Sequence, residues 1–233
     1  MKIIYWSDYA CPYCYIGETH LKTAIRELGW EEEISVEMKA FELDPNASRT
    51  YTGTTVDRFA GKYGLTKEKA AERIDGISEM GRQAGLDFRY AETRYTNTFD
   101  AHRLTKLARS RSKSLADRLS ERLYHAYFAD GLELADHEVL TRIAAEEGMD
   151  TKEVREFLKS DRFADEVRLD EREAQNYGVS GVPYFLIAGK YAVPGAMPVE
   201  EMKRVLEKVM EKERETEMMP GMVCGPDGCG VGE

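Results

Sequence analysis

The spacing of apolar residues predicts a strand, a helix and a second strand at the start of the chain. A short run of Ile and aromatic residues indicates a buried strand from Lys2 to Asp8. Apolar residues then recur at helical spacing from about Cys11 to Gly29, where the glycine can end the helix. From Ile34 to Phe41 apolar and polar residues alternate, which is typical of a half-buried strand. One long helix between two strands predicts a βαβ unit with a right-handed crossover.

The middle of the chain has helical spacing almost throughout. A polar loop that includes residues 50–55 is followed by apolar residues every three or four positions up to about Tyr177. Glycines stand where helices are expected to end, and three polar residues stand where helices are expected to begin: Ser114, Asp136 and Thr151. We expect about six helices, with room for one short extended stretch at 87–95.

Strand character returns near the C-terminal end. Residues 183–187 are apolar and aromatic, and a tight turn at 188–190 can join them to 191–193 as a hairpin. Residues 199–209 then show the spacing of an amphipathic helix. Beyond the charge run 211–217, the sequence has too little periodicity to predict an element.

The element order is β-α-β, then helices, then β-β-α. This order predicts an α/β protein with a thioredoxin fold and a large all-helical insertion. We place the two parts of the thioredoxin-fold domain at residues 1–53 and 173–215. The inserted helical domain is expected at 54–172, and a flexible, cysteine-containing tail at 216–233.

Composition and charge exclude several classes of protein. The 233 residues are 42% hydrophobic and 33% charged, and no apolar run approaches the roughly 20 residues that span a bilayer. Strand-like sequence begins at Lys2 without a charged leader and an apolar core, so we expect no signal peptide. A net charge of −10 argues against nucleic acid or a membrane as a partner. The four cysteines, paired at the two ends of the chain, are unlike a secreted disulfide framework, so we expect a cytoplasmic protein.

The strongest chemical signal is Cys11-Pro12-Tyr13-Cys14, between the first strand and the first helix. Unpaired backbone N–H groups and the positive end of the helix dipole favour the reactive thiolate of a cysteine at this turn. Pro12 fits the first helical position, which needs no N–H donor. Cys14, one turn further on the same face, can attack a mixed disulfide formed at Cys11. The pair therefore predicts dithiol–disulfide exchange, with Cys11 as an exposed nucleophile and Cys14 as the resolving thiol.

The cysteines also allow other interpretations. Cys-Pro-x-Cys can be half of a zinc site, and the other half would have to come from Cys224 and Cys229. The chain would then be a non-enzymatic metal-binding or chaperone protein with the cysteines as ligands. Cys224 and Cys229 flank Gly-Pro-Asp-Gly, a strong turn sequence that can bring them together as a second redox pair. A mobile tail whose thiols simply oxidise, and a soft metal site completed by nearby methionines, are the alternatives for this pair.

Four stretches carry a resemblance to a known family: residues 8–17, 41–45, 97–103 and 178–183. On them the chain resembles the DsbA-like thioredoxin superfamily, and within it the cytoplasmic FrnE-like dithiol–disulfide oxidoreductases. The 2-hydroxychromene-2-carboxylate isomerases and the kappa-class glutathione transferases are related branches. The resemblance implies a cis proline at Pro183 that faces the cysteine pair, and backbone groups of Val182 that pair with an extended substrate.

The resemblance also implies a function. The chain is expected to be a thiol–disulfide oxidoreductase for protein or small-molecule thiols and disulfides, as a monomer or homodimer. No bound cofactor is expected, and glutathione is a candidate electron donor or acceptor. The inserted helices are expected to form the far wall of a groove over Cys11 and to select substrates. The alternative is a glutathione-dependent isomerase or transferase, but those branches typically have Ser in place of Cys11.

Residues next to the pair are expected to tune it. A Pro-Tyr pair between the cysteines also occurs in glutaredoxins, with potentials of about −200 to −230 mV, so Pro12 and Tyr13 favour a reductase or isomerase at least as much as an oxidase. Asp8 can tune Cys11, but more often an Asp at such a position caps the turn before the helix. His102 is a single histidine on a predicted helix, so we expect it to be a packing or surface residue.

Overall fold

The structure is a computed structural model, which describes residues 1–218, 224–225 and 228–229. A short 3₁₀ turn at Tyr90–Glu92 lies between the third and fourth α-helices. In chain order the strands and α-helices are β1 Lys2–Ser7, α1 Pro12–Leu28, β2 Ser35–Ala40, α2 Thr55–Tyr63, α3 Lys67–Gln83, α4 Phe99–Arg111, α5 Lys113–Phe128, α6 His137–Glu146, α7 Thr151–Leu158, α8 Ala164–Asn176, β3 Tyr184–Ile187, β4 Tyr191–Pro194, α9 Val199–Met218, β5 Cys224–Gly225 and β6 Gly228–Cys229.

Strands β1 to β4 form one mixed sheet in the order β2-β1-β3-β4. β1 runs parallel to β2, with Ile3 opposite Val36, and α1 connects the two strands. β3 pairs antiparallel with β1, so that Tyr5 lies opposite Phe185, and β4 returns antiparallel beside β3. The predicted βαβ unit and C-terminal hairpin are both confirmed.

Helices cover both faces of this sheet. On one face α1 and α9 pack against β3, where Leu21 and Leu206 belong to the same buried cluster as Phe185. On the other face Trp6 of β1 packs with Ala174 of α8. Because both faces are covered, the central strands β1 and β3 consist largely of apolar and aromatic residues, as the sequence indicated.

One buried carboxylate attaches α8 to the sheet. Asp170 is 3% exposed, and its Oδ2 accepts a hydrogen bond from the Ala40 N–H at 2.8 Å. Its backbone oxygen accepts a second one from Trp6 Nε1 at 2.9 Å, and Lys106 of α4 forms an ion pair with its side chain. α8 therefore contacts both the sheet and the inserted helices. The predicted division between residues 172 and 173 falls within α8, and the domain boundaries stay a prediction.

Seven α-helices, α2 to α8, lie between β2 and β3 in the described part of the chain, where we expected about six. Asp136 caps α6 and Thr151 begins α7, as predicted. Ser114 does not begin a helix, because it lies inside α5. The N-cap is Ser112, whose backbone is extended and whose Oγ accepts a hydrogen bond from the Leu115 N–H at 3.1 Å.

The segment at 87–95, where we allowed an extended stretch, contains the 3₁₀ turn Tyr90–Glu92. Phe88 is 1% exposed and packs directly on α3 at Gly81. A Cβ at Gly81 would lie 2.4 Å from Phe88 Cγ, so only a glycine leaves room for this ring. Side-chain packing on α3, rather than pairing with a strand, therefore holds this segment.

A second buried carboxylate, Asp100, joins three parts of the chain at the start of α4. It accepts hydrogen bonds from Arg49 Nη2 at 2.5 Å and Arg103 Nη1 at 2.6 Å, and His137 Nε2 lies 2.7 Å away. Burial acts to raise the pKa of Asp100, but the hydrogen bonds from Arg49, His137 and Arg103 outweigh it and hold the pKa below its usual range. The loop after β2 is thereby tied to α4 and α6.

The end of the chain differs from its prediction. α9 reaches Met218, inside the predicted tail 216–233, because the Glu, Lys and Arg residues of the charge run are strong helix formers. β5 and β6, which we did not predict, pair antiparallel with Cys224 opposite Cys229. The turn predicted at Gly225–Gly228 includes residues 226–227, which lie outside the described residues. Among the helices that the structure describes, none is long and apolar enough to cross a membrane.

Candidate active site

The cysteine pair lies at the turn that leads from β1 into α1. Pro12 is the first residue of α1, and Cys11 is its N-cap, with an extended backbone at φ −92° and ψ 113°. The Cys11 N–H donates to Asp8 O at 3.0 Å, and the Cys14 N–H donates to Cys11 O at 3.1 Å. Both cysteines are free thiols. The predicted position of the pair, at a strand-to-helix junction, is confirmed.

Cys11 is not exposed, contrary to our expectation. It is 3% exposed and Cys14 is fully buried, whereas Tyr13 between them is 40% exposed. The expectation is wrong because other parts of the chain close around the pair: Tyr90 and Val182 line the same cleft as Cys11. Cys14 does not line this cleft. A substrate that enters it therefore meets Cys11 first.

Val182 and Pro183 face the pair from the loop before β3. Cys11 Sγ donates a hydrogen bond to Val182 O at 3.5 Å, and the Val182–Pro183 peptide bond is cis, as the resemblance implied. The Gly195 N–H donates to Pro183 O at 2.8 Å, so the end of β4 holds this loop. On the opposite side, a Cβ at Gly17 of α1 would lie 3.1 Å from Pro183 Cγ. Close packing on α1 therefore fixes the loop relative to Cys11.

Cys14 lies in a buried polar network next to Cys11. Burial raises the pKa of the Cys14 thiol, and a hydrogen bond to Cys11 and the charge of Cys11 raise it further. Hydrogen bonds from the Ser7 hydroxyl and the Asp8 backbone act in the opposite direction. Ser7 Oγ lies 2.5 Å from the Tyr124 hydroxyl of α5. A hydroxyl has one proton to donate, so when Ser7 donates it to Cys14, the hydrogen bond with Tyr124 is donated by Tyr124. The inserted helices thus contribute to the surroundings of the second thiol.

Asp8 caps the turn before Cys11. Its Oδ1 accepts a hydrogen bond from the Ala10 N–H at 3.2 Å, and its Oδ2 accepts one from the Leu43 N–H at 2.7 Å. The capping interpretation is confirmed. An effect of Asp8 on the chemistry of Cys11 stays a prediction.

His102, to which the sequence assigned no role in catalysis, lies beside Asp8. Its Nε2 is 3.7 Å from Asp8 Oδ1 and, within the described residues, has no hydrogen-bond partner. Its ring centroid is 4.9 Å from that of Tyr9. His102 is a packing residue, as expected, but it packs next to the turn that carries the cysteines. No sequence signal could find this neighbour, because α4 and β1 are far apart along the chain.

A cleft of about 610 Å³ opens beside Cys11. Residues 10–13 and Val182 form its near side, and α2 and α3 of the insertion form its far side, so the predicted far wall is confirmed. Three of its lining residues are cationic: Arg58, Lys62 and Arg73. Several others are aromatic or apolar: Phe59, Tyr63, Ile77, Met80 and Tyr90. The selection of substrates by this wall stays a prediction.

The second cysteine pair and a metal site were the other candidates. In β5 and β6 the backbone places Cys224 opposite Cys229. A redox role for this pair stays a prediction, since most of the tail lies outside the described residues. Across residues 1–218 and the two short strands, no group of three or more His, Cys, Asp or Glu side chains could hold a metal ion.

Comparison with known proteins identifies a family whose model matches the chain. The family model of the DSBA-like thioredoxin domain matches residues 2–207. A probable DsbA oxidoreductase from Streptomyces coelicolor is 34% identical with a TM-score of 0.87, over 100% of both chains. This agreement confirms the predicted α/β fold class.

Two more distant structures share the fold. A 2-hydroxychromene-2-carboxylate isomerase is 14% identical with a TM-score of 0.65, over 94% of this chain and 98% of that one. The cytosolic disulfide reductase DsbM from Pseudomonas aeruginosa is 14% identical with a TM-score of 0.61, over 91% of this chain and 100% of that one. The structure of DsbM with GSH is equally similar.

Proposed function

Because the chain belongs to the DSBA-like thioredoxin domain family, we propose that it is a thiol–disulfide oxidoreductase that acts through Cys11 and Cys14. The observation that carries this proposal is the arrangement of two free thiols at the start of α1. Cys11 lines a cleft with its Sγ 3.5 Å from Val182 O, and Cys14 is buried behind it. A reactive thiol at a helix N-terminus and a protected second thiol are what a two-step exchange requires.

In the proposed reaction the thiolate of Cys11 attacks one sulfur of a substrate disulfide. The substrate S–S bond breaks, a mixed disulfide forms with Cys11, and the other half of the substrate leaves as a thiolate that takes up a proton. Cys14 then loses its proton and attacks Cys11 Sγ, which releases the second half of the substrate as a thiol. The product is a Cys11–Cys14 disulfide, and two electrons have passed from the protein to the substrate.

The oxidised pair must be reduced again by a thiol. We propose glutathione as this electron donor, at the cost of one glutathione disulfide per turnover, and a cytoplasmic location for the cycle. Support comes from Tyr13, which supplies no positive charge between the cysteines, and from DsbM, a cytosolic disulfide reductase that has been solved with GSH. The proposed direction is therefore reduction or isomerisation of protein or small-molecule disulfides.

Reduction of insulin by glutathione in the presence of the purified protein tests this function. We expect Cys11→Ser to abolish the activity, and Cys14→Ser to accumulate a mixed disulfide at Cys11 that mass spectrometry detects. A chain with Cys224→Ser and Cys229→Ser keeps both thiols of the proposed centre, so in single turnover, without glutathione, it should still reduce insulin at the wild-type rate. Full activity of Cys11→Ser would contradict the proposal. If Cys11→Ser also retained a glutathione-dependent isomerisation, or if metal analysis found a stoichiometric ion, the alternative functions would replace it.

We propose in addition that Cys224 and Cys229 form a second redox pair that exchanges electrons with Cys11 and Cys14. The opposed backbone positions of the two residues in β5 and β6 support this. Deletion of the chain after Glu217 should then slow turnover with glutathione while single-turnover oxidation of Cys11 persists. Unchanged turnover together with an unchanged thiol titration of Cys11 would refute the exchange.

A further inference from the structure

We propose that the cleft beside Cys11 selects small disulfides that carry carboxylate groups. This inference rests on the proposed function and adds a substrate class to it. Three cationic side chains line the cleft, Arg58, Lys62 and Arg73, and no Asp or Glu among the described residues lines it. The chain as a whole has a net charge of −10, so the charge of this cleft wall is opposite in sign to that of the whole chain. A cleft lined by one sign of charge raises the local concentration of ligands of the other sign.

The three cations line the same cleft as Cys11. Arg58 and Lys62 are four residues apart on α2 and therefore lie on the same face of that helix. Arg73 projects from α3 close enough to Tyr13 to act on its hydroxyl: burial and the charges of Tyr63 and Cys11 raise the pKa of Tyr13, and Arg73 opposes them. Because Arg73, Tyr13 and Cys11 line the same cleft, an anion held at Arg73 lies in the cavity onto which Cys11 opens.

The charges of these three residues are available to a ligand. Among the described residues none of the three forms an ion pair, whereas Lys67 at the start of α3 pairs with Asp57 of α2 at 2.6 Å. The guanidinium of Arg58 lies over the ring of Tyr95, 3.9 Å from its centroid, and its Nε is buried without a hydrogen-bond partner. Aromatic contact orients this cation but does not neutralise it. A carboxylate in the cleft would give the guanidinium an anionic partner.

The size and the apolar part of the cleft limit what else the ligand can be. Its volume of about 610 Å³ is typical of sites for small molecules. Tyr13, Tyr63 and Met80 line it and are 40%, 52% and 42% exposed, so they offer apolar surface at its mouth. A small organic disulfide with one or more carboxylates satisfies the cations, the apolar surface and the volume together.

Three small disulfides of different charge test the inference on the full-length reduced protein: dithiodipropionate, which is a dianion, bis(2-hydroxyethyl) disulfide, which is neutral, and cystamine, which is a dication. The rate of Cys11–Cys14 oxidation by each is measured by thiol trapping and peptide mapping. Each rate is divided by the rate at which the same disulfide reacts with dithiothreitol. This normalisation corrects for differences in intrinsic reactivity among the three disulfides. We expect the normalised rate for the dianion to exceed that for the neutral probe about tenfold at low salt. The ratio should fall towards one as salt reduces the screening length below about 10 Å.

Charge variants separate the wall from the general charge of the chain. Lys62→Gln and Arg73→Gln should each lower the dianion-to-neutral ratio severalfold. Lys69→Gln, an equal loss of charge on α3 outside the cleft, should leave the ratio unchanged. Equal normalised rates for the three probes, or an equal effect of Lys69→Gln, would overturn the inference while Cys11 still reacted. Reduction of the probes by a Cys11→Ser protein at the wild-type rate would instead overturn the proposed function.

Discussion

Gly17 offers a test of how Pro183 is held against Cys11. In a Gly17→Ala variant the new Cβ would lie 3.1 Å from Pro183 Cγ and 3.3 Å from Ala196 Cα. Carbon atoms in contact prefer separations of about 3.5–4.0 Å, so the Pro183 ring would have to move by about 0.4–0.9 Å. Val182 would move with it, and Val182 O is already 3.5 Å from Cys11 Sγ.

The size of this shift predicts the size of the effect on exchange. A misplacement of about 1 Å at a reacting centre can reduce a rate about 100-fold, so we expect insulin reduction to slow about tenfold. Two opposing contributions determine the effect on stability. Alanine is favoured over glycine in a helix by about 1 kcal/mol, and overpacking costs about 1–3 kcal/mol. The net loss, measured by urea denaturation, is therefore expected to be at most about 2 kcal/mol.

Gly61→Ala is the matched control. Gly61 also lies inside a helix, α2, and a Cβ there would have no heavy atom within 4 Å. We expect this variant to gain up to about 1 kcal/mol of stability and to keep wild-type insulin reduction. If Gly17→Ala behaved like Gly61→Ala in both assays, Pro183 would not be positioned by its contact with α1 and the reasoning would be refuted.

Three further predictions concern the buried groups. Gly81→Ala should lower the free energy of unfolding by about 3 kcal/mol or prevent folding, because the new Cβ would overlap the ring of Phe88. Urea denaturation measures this loss, and a loss below about 1 kcal/mol would contradict the packing. Ser7→Ala should raise the pKa of Cys14 further by removing a hydrogen bond that lowers it; thiolate absorbance against pH, in a variant with Cys14 as its only cysteine, checks the direction. Asp100 has a lowered pKa, so it contributes stability above its unfolded pKa of about 3.9, and that stability is lost as pH falls through the folded value. Asp100→Asn should therefore destabilise the protein at pH 7 and less so in acid; equal destabilisation at both pH values would contradict the ion-pair explanation.

Local patterns were enough to predict the elements that build the sheet. The alternation from Ile34 to Phe41 and the apolar runs of β1 and β3 reflect burial of each strand, which is a property of the strand's own residues. The helix from Cys11 to Gly29 was equally clear, since proline at its start and a left-handed glycine at its end are local signals. The predicted end of α9 is too early, because a charge run can be both solvated and helical.

Contacts between distant segments could not be predicted from spacing. The position of Cys11 at a helix N-terminus predicts an exposed thiol, whereas its burial depends on α2, α3 and the Val182 loop. The meeting of Pro183 with Cys11 was expected from the family resemblance, and nothing in the spacing of residues indicates it. His102 beside Asp8 and Tyr124 beside Ser7 depend on how α4 and α5 pack against β1, which a single sequence does not record.

The surroundings of the two thiols give the proposed reaction its order. While Cys11 is free, its charge and its hydrogen bond help to raise the pKa of Cys14, so the buried thiol stays protonated and cannot compete for a substrate. In a mixed disulfide Cys11 Sγ carries no charge, and both of these contributions disappear. The hydrogen bonds from Ser7 and the Asp8 backbone, which lower the pKa of Cys14, do not depend on the state of Cys11. We therefore expect the pKa of Cys14 to fall when the mixed disulfide forms, so that Cys14 becomes reactive at the step that needs it.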